Sequence, residues 1–228
     1  MSFKTGDNIN AGNASWSFGG NVPKVFDEHV SKSVPFYDKG QDLICKVSDF
    51  FIKNNSTVYE LGCSTGSLIS KLQSRHIGKN GNFIGLDIER AMVDYAVENS
   101  SEDINFQCED IVTYDYIAAD YIVAYYTVQF IHPSLRQVLF DKIYKSLNWG
   151  GALLLFEKVR ASDARFQDLA TLIYTDYKLD QGYTPEEIIG KSRSLKGVLE
   201  PFSSNANIEM MKRAGFLDIS TIFKYVCF

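Results

Sequence analysis

The stretch that decides the fold covers residues 57–66 and reads TVYELGCSTG. Its first half is rich in β-branched and aromatic residues, which predicts a short strand over Thr57–Leu61. Its second half turns at Gly62 and Gly66, because glycine permits a tight turn and lets a ligand approach the backbone closely. Apolar residues then recur at helical spacing over 67–73, so the stretch predicts a strand, a glycine turn and a helix.

Predicted strands and helices alternate after this stretch. Strand–helix alternation with nearly continuous apolar strands predicts an α/β fold, in which a parallel sheet is covered by helices on both faces. Right-handed crossovers bring the carboxyl ends of all strands to one edge of the sheet, where a ligand crevice forms. Strands are expected at 82–86, 104–108, 121–125 and 152–156, with a helix through Met92 and Val97 and another over 133–148.

The flanking segments predict an arm and an insert around a single domain that covers residues 22–228. Residues 1–21 are polar and rich in glycine and asparagine, so we expect a flexible N-terminal arm, whose end docks through Trp16. Residues 157–207 break the alternation, and a helical insert after the fifth strand would lie over the crevice as a lid. The β-rich segment 216–228 predicts a sixth strand.

The composition argues against several classes of protein. With 228 residues, 13 Tyr and 16 Phe, the chain is long and aromatic enough for one folded domain rather than a disordered segment. A net charge of −5 argues against direct nucleic-acid binding, and no apolar run is long enough for a membrane span. The cysteines and histidines lack metal-binding spacing, so we expect free thiols in the cytoplasm, histidines at the surface or at helix ends, and no metal. These residues are Cys45, Cys63, Cys108, Cys227, His29, His76 and His132; the C-terminal cations expected on solvated helix faces include Lys191, Arg193 and Lys196.

Acidic residues stand at the ends of three consecutive predicted strands. Glu60 precedes the glycine turn by two residues, and Asp87 ends the second strand, where a carboxylate is placed to accept hydrogen bonds from ribose hydroxyls. Asp110 follows the third strand and is placed to meet an adenine amino group. A helix N-cap would also explain Asp87, and Ser64 leaves the dinucleotide Gly-x-Gly pattern incomplete. The three acids on one crevice edge together predict a nucleoside-binding site.

Several motifs resemble class I methyltransferases, which use S-adenosylmethionine. They are Glu-x-Gly-x-x-x-Gly from Glu60, Asp87 after the second strand, Asp110-Ile111 after the third, and LNWGG at 147–151. A closer similarity, from about Trp16 onwards, is to the carboxy-S-adenosylmethionine synthase family. Its specific stretches are KSVPFY at 32–37, LGCS at 61–64, TVQF at 127–130, LFDKIY at 139–144, FEK at 156–158, Gly182-Tyr183 and RAGF at 213–216.

The resemblance implies a set of site residues in this chain. Tyr125 stands where the family has a cofactor-contacting Asn, and the family's carboxylate-binding Arg aligns without gaps to Ser192, with Arg193 one residue along. A one-residue shift of the alignment would put Arg193 at this position and restore the cation. Arg193 and Tyr183 are the expected catalytic residues. The expected cofactor-binding residues are Tyr37, Glu60, Gly62, Cys63, Ser64, Gly66, Asp87, Ile88, Asp110, Ile111 and Tyr125.

The resemblance also implies a reaction and an assembly. In this family prephenate supplies carbon dioxide to the sulfonium-activated methyl carbon, phenylpyruvate is released, and the product serves tRNA wobble-uridine modification. A new carboxylate needs a fixed cation such as the bidentate fork of an arginine, whereas plain methyl transfer needs none. The family is dimeric, so a homodimer is expected.

Class I sheets also insert a seventh strand between strands five and six. This strand is expected to be missing here, which exposes an edge beside strand five.

Two other functions fit the same sequence. The lost Asn and the displaced Arg favour a methyltransferase that acts on a small molecule or on tRNA. A non-catalytic module that only binds S-adenosylmethionine would need the same crevice and no co-substrate site. A nicotinamide oxidoreductase is disfavoured by Glu60 and by the absence of the full dinucleotide pattern.

Overall fold

The computed structural model describes residues 2–7 and 9–228. A short antiparallel hairpin of β1 (Phe3–Lys4) and β2 (Asn10–Ala11) precedes a central sheet of five parallel strands. The sheet order is β5-β4-β3-β6-β7, so the strand order reverses beside β3, and such a switch point is where open α/β sheets bind ligands. The central strands are β3 (Thr57–Leu61), β4 (Asn82–Asp87), β5 (Ile104–Cys108), β6 (Ala119–Tyr125) and β7 (Leu147–Phe156).

Helices cover both faces of this sheet. Val58 of β3 belongs to a core on one face and its neighbour Tyr59 to a core on the other, and both side chains are fully buried. This two-sided burial confirms the parallel α/β fold expected from the apolar strands. The helices are α1 (Phe26–Ser33), α2 (Tyr37–Ser48), α3 (Ser67–Arg75), α4 (Arg90–Asn99), α5 (Arg136–Ser146), α6 (Ala164–Asp180), α7 (Pro185–Ser194) and α8 (Ser204–Ala214).

The sixth strand expected at 216–228 was a wrong prediction. In the described residues this segment joins no sheet, and β7 is the edge strand, with Trp149 fully exposed. The aromatic residues of the segment instead pack by their side chains: Phe223 stacks on Phe156 at 6.0 Å, and Phe228 meets Tyr174 edge-on at 5.0 Å. Aromatic and β-branched residues serve this packing as well as they serve a strand, so the pattern did not distinguish the two.

The N-terminal segment packs on the domain over its described residues, which differs from the flexible arm expected at 1–21. Trp16 is buried, as its predicted docking requires, and its backbone N–H donates to the Ser194 carbonyl oxygen at 3.1 Å. The hairpin lies against α7 at Gly190, where a Cβ would collide with the carbonyl oxygen of Lys4. The absence of a side chain at this position therefore lets the backbone of β1 approach the helix closely.

The segment expected to form a helical insert carries α6 and α7, which are joined by a short turn at Gly182. Helix α7 begins with a capping box between Thr184 and Glu187, and Pro185 occupies its first turn. Both features are specified by the local sequence. None of the helices formed by the described residues has the length and apolar character that a membrane crossing requires.

Candidate active site

A cavity of about 610 Å³ opens at the carboxyl edge of the sheet, within the size range of small-molecule sites. The ends of β3, β4 and β6 form its floor, and residues of α1, α6 and α7 close it from above. The crevice lies at the edge where the strand tips meet, which confirms the position predicted from parallel strands.

The glycine turn after β3 forms one wall of this cavity. Gly62 and Gly66 both have positive φ, at +72° and +77°, and a Cβ at Gly62 would collide with the Thr127 side chain. Ser64 also takes a left-handed conformation, with φ at +49°, where the sequence lacks a second glycine. The Leu86 carbonyl oxygen accepts from the N–H groups of Gly62 and Cys63, which ties the turn to β4.

Asp87 connects this turn to the next strand. One of its carboxylate oxygens accepts from the Ser64 N–H at 2.8 Å, and the other accepts from the Glu89 N–H at 2.9 Å. Burial raises the pKa of Asp87, and the backbone N–H groups of Glu89 and Ser64 oppose this shift. The carboxylate is thus held in one orientation at the cavity, with lone pairs left for two adjacent hydroxyl groups of a ribose.

The two other acids at the strand tips are held differently. Glu60 is buried, and its carboxylate accepts from the Ile69 N–H at 2.9 Å. Burial raises the pKa of Glu60 well above its ordinary value. The side chain holds the start of α3 through its hydrogen bond with Ile69, and it also lines the cavity. Asp110 is half-buried, and its carboxylate accepts one hydrogen bond from the described backbone, from the Val112 N–H at 2.8 Å, while its carbonyl oxygen accepts from Thr113 and Tyr114.

Tyrosines form part of the apolar wall of the cavity. The Tyr125 hydroxyl donates to the Tyr37 carbonyl oxygen at 2.5 Å, and their ring centres lie 4.9 Å apart. A Cβ at Gly40 would collide with the Tyr125 hydroxyl, so this glycine makes room for the tyrosine that replaces the family's Asn. Burial raises the pKa of Tyr125 far above its ordinary value, which keeps this phenol neutral.

The structure brings together ten of the eleven expected cofactor-binding residues. Gly66 is the exception: it caps α3 and packs against Phe106, where a Cβ would be too close to the ring. The ten that line the cavity are Tyr37, Glu60, Gly62, Cys63, Ser64, Asp87, Ile88, Asp110, Ile111 and Tyr125.

The two expected catalytic residues do not line this cavity. Arg193 is exposed on the far side of α7, with its guanidinium 5.3 Å from the Phe3 ring centre. Tyr183 lies behind the cavity wall and donates to the Asp7 carboxylate at 3.2 Å. Positions two apart on a helix point to nearly opposite sides, so Lys191 faces the cavity while Arg193 faces the hairpin.

His76 is buried at the C-terminal end of α3, as one of the two expected placements has it, whereas His29 is buried within α1 rather than at the surface or at a helix end. The Nδ1 of His29 contacts the Asp7 carboxylate at 2.5 Å, and its Nε2 lies 3.0 Å from the Lys191 ammonium nitrogen. Burial and the charge of Lys191 lower the pKa of His29 to about 4, so the ring is neutral at pH 7. A neutral ring that accepts from Lys191 carries its proton on Nδ1 and donates it to Asp7.

Four lysines line the cavity that the sequence did not place there: the exposed Lys196, which had been expected on a solvated helix face, and three half-buried ones. Lys158 follows β7 and had been noted only as part of a family stretch, Lys178 lies in α6, and Lys191 in α7 had been expected on a solvated face. No local pattern distinguishes a cavity-facing lysine from a solvated one, because the direction it takes depends on how its helix docks. The only early indication was that the insert would cover the crevice.

Comparison with known proteins places this geometry in a family. Residues 58–151 match the methyltransferase domain family. Carboxy-S-adenosyl-L-methionine synthase of Staphylococcus epidermidis is 38% identical over 201 residues, which cover 88% of this chain and 88% of the relative. The synthase of Campylobacter lari is 38% identical over 216 residues, which cover 93% of this chain and 92% of the relative.

Solved structures share the fold at much lower identity. The plantazolicin methyltransferase BpumL, in complex with a triazolic desmethylPZN analog and SAH, superposes with a TM-score of 0.62 at 13% identity, covering 85% of this chain and 69% of that one. The cyclopropane synthase MmaA2 from Mycobacterium tuberculosis gives a TM-score of 0.58 at 14% identity, covering 79% and 60%. The fold is therefore that of the methyltransferases, and the extended sequence identity shows that the chain belongs to the carboxy-S-adenosyl-L-methionine synthase family.

Proposed function

We propose that this protein makes carboxy-S-adenosylmethionine from S-adenosylmethionine and prephenate, for tRNA wobble-uridine modification. The observation that carries the proposal is the convergence of Glu60, Asp87 and Asp110 with the Gly62 turn on one cavity, in a chain of this family. The residues present fit the cofactor, because Asp87 is held by two backbone N–H groups with lone pairs free for ribose hydroxyls.

Each part of the cofactor has a matching part of the wall. Asp87 would hold the ribose, Asp110 the adenine amino group, and the turn at Cys63 and Ser64 would lie against the methionine part. When bound, S-adenosylmethionine supplies an activated methyl group; carbon dioxide from prephenate joins its carbon, and the methyl proton and the hydroxyl group of prephenate leave as water beside phenylpyruvate. The rings of Tyr37 and Tyr125 exclude bulk water from that part of the cavity.

Mass spectrometry of the product tests this proposal directly. Purified protein with S-adenosylmethionine and prephenate is expected to form the carboxylated sulfonium together with phenylpyruvate, and neither product should form when prephenate is left out. If the protein binds S-adenosylmethionine but makes no carboxylated product, the proposed function is wrong.

Methyl transfer is the second candidate, and the placement of Ser192 favours it. Ser192 lines the cavity where the family's carboxylate-binding Arg is expected, and a methyl acceptor needs no cation there. Incubation with S-adenosylmethionine and a cell lysate that supplies acceptors separates the two functions, because methyl transfer yields S-adenosylhomocysteine and the methylated acceptor instead of a carboxylated sulfonium.

We also propose that the protein forms a homodimer. Helix α6 leaves five large apolar side chains exposed, four of them at spacings that place them on neighbouring helix turns, and it contains no fully buried residue. An apolar face of this kind on a folded protein marks an interaction surface. We expect light scattering to give twice the mass of one chain, whereas a monomer mass at micromolar concentration would contradict the proposal. The four neighbouring residues are Phe166, Leu169, Leu172 and Ile173, and the fifth exposed residue is Leu179.

A further inference from the structure

Three half-buried ammonium groups in the cavity wall have no acidic partner. Lys158, Lys178 and Lys191 come from three different elements, and none of them takes part in an ion pair within 4.0 Å among residues 2–7 and 9–228. The acids of the cavity stand at the tips of β3, β4 and β5, apart from these lysines in the chain and in the fold. The cavity is therefore lined by acids at the strand tips and by these three unpaired lysines from the segment after β7.

The groups that do contact these lysines are neutral. The ammonium nitrogens of Lys158 and Lys178 lie 4.2 and 4.4 Å from the ring centre of Tyr174, and that of Lys191 lies 2.7 Å from the Trp16 ring centre. An aromatic face attracts a cation but does not balance its charge. Burial lowers the pKa of all three lysines, that of Lys178 to about 7, as expected for cations held away from water without an anion.

We propose that Lys158, Lys178 and Lys191 form the wall that binds the carboxylates of a small dicarboxylate co-substrate. This inference rests on the proposed function, whose co-substrate carries two carboxylates beside an apolar ring. These lysines would also supply the cation that the carboxylation chemistry requires, because Ser192 has no charge, Arg193 lies outside the cavity, and the cavity-lining Arg160 already pairs with Glu200. Three lysines surround a carboxylate as point charges on flexible stems, whereas one arginine grips it with a planar fork.

The test compares lysine-to-methionine variants in binding and in turnover. Methionine keeps an unbranched apolar stem on Tyr174 while it removes the charge, so Lys158→Met and Lys178→Met are the informative variants. Prephenate is titrated by calorimetry in the presence of saturating S-adenosylhomocysteine, where no carboxylation occurs. We expect each variant to bind prephenate about 10- to 100-fold more weakly, since a hydrogen bond to a charged group is lost. In turnover, the KM for prephenate should rise more than kcat falls.

The controls separate a binding role from a structural one. Affinity for S-adenosylhomocysteine and the Tm should stay unchanged in both variants, and Lys178→Arg should recover most of the prephenate affinity because it keeps the charge. Lys212→Met removes an exposed lysine of α8 that pairs with Glu209, so it changes net charge equally without touching the cavity. It is expected to behave like the wild type.

The outcomes distinguish this inference from the proposed function. If the wild type makes the carboxylated product but the lysine variants keep wild-type KM and prephenate affinity, the lysine wall is wrong and the function stands. If the wild type neither binds prephenate nor makes that product, the proposed function fails and the inference fails with it. Loss of S-adenosylhomocysteine affinity in the Lys158 and Lys178 variants would also overturn the inference, because the lysines would then support the cofactor site.

Discussion

Asp87→Asn is expected to weaken S-adenosylmethionine binding by roughly 100-fold or more, because two or more charge-assisted hydrogen bonds are lost at about 1.5–3 kcal/mol each. The carboxylate of Asp87 accepts from Ser64 and Glu89 through separate oxygens. An asparagine offers one acceptor oxygen and points its NH₂ group at the other N–H. The variant therefore loses ribose contacts and loosens the turn that lines the cavity. Calorimetry with S-adenosylmethionine measures the loss.

Asp110→Asn is the matched control for this prediction. The carboxylate of Asp110 accepts from one backbone N–H of the described residues, that of Val112, and is less buried than that of Asp87. The same chemical change should therefore weaken binding by only about 10-fold. An Asp87→Asn protein that stays folded and binds within fivefold of the wild type would contradict the role given to this carboxylate.

Arg136→Met is expected to lower the free energy of unfolding by about 3–5 kcal/mol, a large share of the roughly 5–15 kcal/mol of a typical domain. The guanidinium is fully buried and donates to the carbonyl oxygens of Gln129, Ile131 and Glu200 at 3.1, 2.9 and 2.8 Å. Methionine leaves the carbonyl groups of Ile131 and Glu200 without that donor, while the Gln129 carbonyl still accepts from the Glu200 N–H. Each buried group left without a partner costs about 1–3 kcal/mol. The guanidinium also lies 4.3 Å from the Phe202 ring centre, so packing is lost as well.

Urea unfolding measures this change. Arg165→Met, at an exposed arginine of α6, should alter the free energy of unfolding by no more than about 0.5 kcal/mol. A loss below about 1 kcal/mol for Arg136→Met would show that water or nearby groups satisfy the Ile131 and Glu200 carbonyls. The variant is expected to disturb the active site too, because Gln129 lines the cavity and its carbonyl oxygen accepts from the Arg136 guanidinium.

The sheet and the acidic side of the site followed from the sequence because both depend on local patterns combined with topology. The strand at Thr57–Leu61 was predicted at its observed bounds, and β4 and β6 differ from expectation only by extension at one end. Once strands are parallel, their carboxyl ends must share an edge, so Asp87 and Asp110 had to converge. Register and helix docking were not needed for that conclusion.

The cationic side of the site did not follow, because it depends on the rotation of α7. Lys191 and Arg193 are both plausible cavity residues in sequence, and a one-residue shift exchanges them. The hairpin decides between them: it docks at Gly190, hydrogen bonds join Ala14 to Arg193 and Trp16 to Ser194, and Lys191 is thereby turned inward. That contact joins segments about 180 residues apart, and no local pattern encodes it.

A crystal structure with bound S-adenosylhomocysteine tests the central claim most directly. We predict that the ribose hydroxyls lie about 2.6–3.2 Å from the Asp87 carboxylate and that the sulfur faces the side of the cavity where Lys158 and Lys178 stand. A ligand whose ribose contacts neither Asp87 nor the Gly62 turn, or whose sulfur faces Arg193, would contradict it.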